Sequence, residues 1–292
     1  MNIVSGQDNL AAYGDTEGDQ AQRYARTAEF MQLTRRLWTE ENVTYTGEYF
    51  RVQGSTVLPR PFGAAAGRYP RLYFGGASAP AERVAAQEAD VQLFWGEPLD
   101  GVAERIGRLT GLAGTLRGDR AALEYGLRIT TVVRDTSGEA WRDAEAKVAA
   151  MAAAAGKAFS GFPASGRATG QQRLLALAER GEVLDSCLYT APGRFGGAGA
   201  ATTWLVGSHD EVAAALGKYA DLGITHFVLS DTPYLREAAR IGDQLLGRLR
   251  PSRDGVARDG VARDGGSQDG GRDRGGETGS QARQSLQPLR GE

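Results

Sequence analysis

Arg71-Leu-Tyr-Phe-Gly-Gly-Ala-Ser-Ala-Pro-Ala-Glu-Arg83, running on to Val91-Gln-Leu-Phe-Trp95, decides how the rest of this 292-residue chain is read. Leu72, Tyr73 and Phe74 form a short aromatic and aliphatic run, and Gly75 and Gly76 stop it. Ser78 and Pro80 favour a helix start, so the stretch predicts strand, glycine turn, helix, strand. Unpaired backbone N–H groups at such a helix start, aided by the helix dipole, suit a phosphate, and paired glycines let it approach the main chain. The alternative is a turn that is glycine-rich only for steric reasons.

Working outward, the chain alternates. Asn2-Ile-Val-Ser-Gly reads as a short core strand, and residues 21–40 as an amphipathic helix carrying Tyr24, Phe30, Leu33 and Leu37. Residues 43–52 alternate on both sides of Gly47 and predict a small hairpin outside the main sheet. After Trp95, Gly96-Glu-Pro98 closes a strand, and Val102, Ile106 and Leu109 mark a helix. Residues 125–133 form a β-branched strand interrupted by one charge, Arg128. Thr136 with Glu139, and Ser208 with Glu211, are capping-box pairs that open two further helices, the second ending at Gly223. His226-Phe-Val-Leu-Ser230 reads as a buried strand, with a helix from Pro233.

Strand and helix in alternation imply an α/β fold with a parallel sheet, doubly wound or closed as an eight-fold barrel. Residues 160–199, rich in glycine, serine and proline, predict a lid or binding insertion within a domain spanning 1–250. Residues 251–292 repeat Arg-Asp-Gly-Val-Ala and predict a disordered tail.

Composition excludes several classes. A formal net charge of −2 gives no basic field for nucleic acid or an acidic membrane surface. The single cysteine, Cys187, excludes an internal disulfide and cysteine-rich zinc sites and suits a reducing cytoplasm. The chain opens without a basic, apolar leader, and its most apolar long stretch, 146–155, is an alanine-rich helix rather than a span, so a cytoplasmic location without membrane contact is expected. The two histidines, His209 and His226, fall at a helix start and in a buried strand; both read as structural, and no metal cluster is apparent.

Taken in order, Asn2-Ile-Val-Ser-Gly, Gln22-Arg-Tyr24, Leu72-Tyr-Phe-Gly-Gly-Ala-Ser78, Phe94-Trp-Gly-Glu-Pro98, Gly126-Leu-Arg128, Gly170-Gln-Gln-Arg173, Gly196-Gly-Ala-Gly199, Leu205-Val-Gly207 and Tyr219-Ala-Asp-Leu-Gly-Ile224 resemble the flavin-dependent bacterial luciferase-like monooxygenases. The alkanesulfonate monooxygenase branch is the most similar. The resemblance implies a (β/α)8 TIM barrel with an insertion, binding reduced FMN at the C-terminal mouth of the strands. Five barrel strands can be placed, near Asn2, Leu72, Val91, Tyr125 and His226. The family's first three βα units have no counterpart, so the expectation is an incomplete barrel, from a truncated reading frame or completed by another polypeptide.

The resemblance places the FMN phosphate at Gly75, Gly76, Ala77 and Ser78, with Tyr24 nearby and Asn2 and Ser5 at the end of the first strand. Arg128 would bind substrate or stabilise the anionic oxygen adduct; its alternative is a structural ion pair with a neighbouring carboxylate. Arg194, beside Gly196-Gly-Ala-Gly199, falls one residue from the family's lid arginine. Where the sulfonate enzymes carry a histidine two residues after the arginine that matches Arg128, the chain has Thr130; after the last strand Thr232 stands for a tyrosine and Tyr234 for a histidine. Tyr234 could supply a hydroxyl in compensation. Trp95 reads as barrel core or as a cofactor contact.

Three functions follow. The first is a two-component monooxygenase, a homo-oligomer, that receives reduced FMN from an NAD(P)H-dependent flavin reductase. With molecular oxygen it would convert a small organosulfur substrate such as an alkanesulfonate to aldehyde and sulfite. The second is hydride transfer with coenzyme F420, without oxygen. The third is an inactive fragment that associates with a full-length partner through an open barrel edge.

Overall fold

The computed structural model describes residues 1–5, 19–158, 169–195 and 202–249. Strand β1 (Asn2–Ile3) is followed by helix α1 (Gln20–Thr39) and a hairpin of β2 (Val43–Thr46) and β3 (Arg51–Ser55). The glycine turn joins β4 (Tyr73–Gly75) to α2 (Ala79–Glu88). Then come β5 (Val91–Trp95), α3 (Leu99–Leu116), the long β6 (Glu124–Arg134) and α4 (Ser137–Ala158). Helix α5 (Thr169–Arg180), short strands β7 (Val183–Leu184) and β8 (Leu188–Tyr189), and β9 (Trp204–Ser208) precede α6 (His209–Asp221), β10 (Ile224–Ser230) and α7 (Tyr234–Arg240). One wide turn of helix, Ile241–Leu245, leads into α8 (Leu246–Leu249).

The five strands expected from the sequence lie side by side and parallel, β1-β4-β5-β6-β10. Trp204-Leu-Val-Gly207 was not placed among them by sequence, yet β9 joins the same sheet. The reason is the length of β6: its first half pairs with β5 and β10, and its far half, Thr130 to Arg134, is left over for β9. β8 and β7 extend that arm antiparallel. Among the described residues β1 pairs only with β4 and β10 only with β6, so these strands form an open sheet. The hairpin is a separate two-stranded sheet, as its alternation predicts. The buried carboxylate of Glu29 on α1 caps its turn, accepting from the N–H groups of Glu48, Tyr49 and Phe50.

Register sorts the side chains by period two. Ile3, Phe74, Phe94, Leu127 and Ile129 share one face and are buried, in a core to which α2, α3 and α6 contribute Ala85, Val102, Leu109 and Leu216. Each large side chain buried this way contributes roughly 1.5–3 kcal/mol. The other face carries Asn2, Tyr73, Gly75, Leu93, Trp95, Arg128 and Val228, in register across all five strands. That face is open: Val228 is 42% exposed, and Val4, just beyond β1, 71%.

The helix starts follow their local signals. Ser78 caps α2, and Ser208 with Glu211 forms a complete capping box on α6. Thr136 and Glu139 exchange hydrogen bonds before α4. Gly223, at φ 104, takes the left-handed conformation after α6 that favours glycine. The tail expected at 251–292 and the Gly196-Gly-Ala-Gly199 motif lie outside the described residues, as do residues 160–168 of the insertion expected at 160–199.

Candidate active site

The glycine turn forms one wall of a cavity of about 530 Å3. Gly76 is required by crowding, since an added Cβ would stand 2.5 Å from the Cβ of Ala81 on α2. Gly75 is required by nothing in the protein: its Cβ would meet only the Leu93 carbonyl oxygen, at 3.6 Å, and would instead occupy the cavity. The Gly76 carbonyl points into the protein, accepting from Arg105 Nη2 at 2.7 Å and Gln92 Nε2 at 3.1 Å. A planar trans peptide then directs the N–H of Ala77 the opposite way, away from these two donors. Ser78 begins α2, whose first N–H groups and dipole end add to the same field.

The structure gathers Asn2, Ser5, Tyr24, Gly75, Gly76, Ala77, Ser78 and Arg128 around this cavity. Ser78 Oγ donates to the Tyr24 hydroxyl at 3.3 Å, and the Tyr24 ring stands edge-on to Phe74. Arg128 is half-buried on β6, opposite Trp95 in register. Trp95 is also half-buried and lines the cavity rather than filling the core; Gly170 of α5 lies so close that a Cβ there would be 3.0 Å from the indole. Two expected residues stand apart. Arg194 is exposed in the short helical turn Ala191–Phe195, where the inward side is taken by Gly193 against Leu174. Tyr234, the first residue of α7, is 62% exposed. Neither lines the cavity.

Sequence reading missed the charges behind the turn. Arg105 is buried and bonded to Glu82 at 3.0 Å and Glu97 at 2.8 Å, with its guanidinium over the Phe94 ring, 4.6 Å from the centroid. Arg173 of α5 pairs with the same Glu97, and Arg108 with Glu82. Burial alone would raise the Glu82 carboxyl, but the hydrogen bond from Arg108 and the charges of Arg105 and Arg108 outweigh it and hold the group below the usual range. A signal was available: Arg105 sits three residues after Val102 and four before Leu109, on the apolar stripe of α3, where an unpaired charge is costly.

Among the described residues four charged side chains line the cavity, Arg105, Arg128 and Arg173 with Glu97, and Arg105 is also paired with Glu82 behind it. With the inward glycine at 75, the aimed N–H of Ala77 and the Ser78 and Tyr24 hydroxyls, these residues fit a phosphate monoester. Leu93, Trp95, Leu174 and Leu177 supply the apolar wall that a planar ring system needs.

The histidines are engaged elsewhere. His226 meets the Tyr73 hydroxyl at 3.1 Å and Glu124 at 2.6 Å, and His209 meets Gln244 at 2.6 Å. Among the described residues no group of three or more His, Cys, Asp or Glu side chains could hold a metal ion, and no helix is long and apolar enough to cross a membrane.

The glycine turn thus follows the C-terminal end of β4 in an open α/β sheet of parallel strands, the end at which such folds bind their ligands. Residues 1–226 match the family model described as luciferase-like monooxygenase, and the chain belongs to that family. Its fold is similar to that of the EDTA monooxygenase from Chelativorans sp. BNC1, with a TM-score of 0.60 at 17% identity, covering 82% of this chain and 62% of that one. A riboflavin lyase solved with modified FMN and riboflavin gives 0.57 at 20% identity, covering 89% and 64%. An F420-dependent secondary alcohol dehydrogenase in complex with an F420–acetone adduct gives 0.54 at 17%, covering 86% and 69%. The chain spans under two thirds of the length of the first two of these structures.

Proposed function

We propose that this protein is a reduced-FMN-dependent monooxygenase acting on a small organosulfur anion such as an alkanesulfonate, with aldehyde and sulfite as products. The observation that carries this reading is the meeting, around one cavity, of the glycine turn with Arg105, Arg128 and Arg173 and, among the described residues, one carboxylate, that of Glu97. FMN, when bound, supplies the electrons that activate molecular oxygen. The chain's own part is to hold and orient. The Gly75–Ser78 turn and Tyr24 hold the phosphate, and Arg128 meets the negative charge of the substrate or the charge that develops during reaction. Trp95, Leu174 and Leu177 keep water from the apolar side of the cavity. A separate NAD(P)H-dependent reductase delivers the reduced flavin, and the working form is a homo-oligomer.

The test is an anaerobic titration with reduced FMN followed by tryptophan fluorescence, for which Trp95 is a reporter in the cavity wall. Saturation at micromolar ligand, about 8 kcal/mol of binding, is expected. Oxygen and an alkanesulfonate are then admitted, and sulfite release is measured. Oxygen-independent turnover with reduced coenzyme F420 would transfer the reading to hydride transfer; binding of neither cofactor would end both.

A second reading has its own observation. The edges of β1 and β10, unpaired among the described residues, and the exposed Val4 and Val228 on the open face favour association with a longer family member that covers this face. Light scattering of the chain alone and mixed with such a homologue tests it; unchanged masses in the mixture would refute it.

A further inference from the structure

Glu97 stands between two arginines that belong to different parts of the molecule. One is Arg105, which holds the Gly76 carbonyl and so sets the direction of the Ala77 N–H. The other is Arg173, on α5, whose Nε is 3.3 Å from the same Oε1 that Arg105 engages at 2.8 Å and whose Nη2 takes the second carboxylate oxygen. Glu97 itself is buried, with its carbonyl oxygen held at 2.7 Å by the hydroxyl of Tyr219 on α6, so it cannot follow one arginine without leaving the other. Both guanidinium groups line the cavity.

Arg105 has Glu82 as well as Glu97 for a counter-charge, whereas among the described residues Arg173 pairs with Glu97 alone. A dianion seated at the glycine turn attracts the Arg173 guanidinium across the cavity, and so favours the arrangement in which Arg173 is docked on Glu97 beside the turn. Elsewhere α5 is attached by the surface pair of Arg180 with Asp100 and by Leu174 and Leu177, which are packed inward along the apolar wall of the cavity. Resting on the reading that this cavity takes a flavin phosphate, we propose that Glu97 is a positioning residue that couples the phosphate turn to helix α5, so that phosphate binding and the docking of α5 on Trp95 and Glu97 strengthen one another.

Hydrogen exchange of the α5 amides, residues 169–180, with FMN and with riboflavin separates the possibilities, because riboflavin lacks only the phosphate. In the unaltered protein FMN should slow α5 exchange roughly fivefold or more, the lower end of coupling between sites, and riboflavin should not. Arg173→Gln should abolish the slowing and, by reciprocity, weaken FMN binding by the same factor, while Arg173→Lys restores part of both. Arg173 is partly exposed, so the glutamine variant loses no buried charge of its own. If Arg173→Gln speeds exchange equally with and without FMN and leaves FMN affinity unchanged, Arg173 is merely structural and the proposal is overturned. If FMN binds but α5 does not respond, the coupling fails while the cofactor reading stands; if FMN does not bind at all, the cofactor reading itself fails and takes the coupling with it.

Discussion

Arg105 donates to the carbonyl oxygen of Gly76 at 2.7 Å from a guanidinium that is only 2% exposed. A buried charge therefore orients a backbone peptide from behind, and the face of that peptide presented to the cavity carries the donor.

Lysine in place of Arg105 keeps the charge but cannot serve Glu82, Glu97 and Gly76 from a single fork. Arg105→Lys is expected to weaken FMN about tenfold, the scale of one charge-assisted hydrogen bond, and to leave riboflavin affinity unchanged. Paired fluorescence titrations measure both, and an equal loss for the two ligands would count against an oriented phosphate donor.

The two glycines of the turn should separate stability from binding. Gly76→Ala forces a Cβ to 2.5 Å from Ala81 and should lower stability by about 1–3 kcal/mol in urea unfolding. Gly75→Ala meets nothing closer than 3.6 Å and should leave the unfolding midpoint in place while reducing FMN affinity. The reverse pattern would sink the assignment of the cavity side of this turn.

The depressed carboxyl of Glu82 makes stability depend on acid pH. Since its folded value lies below the ordinary 4.5, its contribution is fully present above that value and is lost as pH falls through the folded one. Glu82→Gln, which leaves Arg105 and Arg108 short of a partner, should cost on the order of 3 kcal/mol at neutral pH. Urea midpoints of the two proteins should converge as pH drops below 4.5; a gap that stays constant would contradict the linkage.

Burial pushes the Cys187 thiol up to about 11, so little thiolate exists at neutral pH. An aromatic disulfide reagent should leave the native protein unmodified at pH ~8 and titrate one thiol once guanidinium unfolds it. Rapid labelling of the native chain would place Cys187 outside the core to which it is assigned.

Much of the frame was legible in the sequence because its signals are local. Ser78, Thr136 and Ser208 cap their helices within three residues, and the apolar run 91–95 and the β-branched run 125–133 mark two largely buried strands. The same reading expected Arg194 and Tyr234 in the site, and both turn outward. Their positions depend on how the turn at Ala191–Phe195 and the start of α7 pack, which no short motif encodes.

The sequence by itself determined the parallel α/β architecture, the strand–glycine–helix turn and the family, all through patterns spanning a few residues at a time. Only the tertiary structure decided that Arg173 shares with Arg105 the carboxylate of Glu97, 76 residues before it in the chain, and that β9 lies on the far half of β6. The physical reason is the same in each case. A buried ion pair or a strand pairing is stabilised by groups that approach only after the chain has folded back on itself, so neither partner carries a mark of the other in its local sequence.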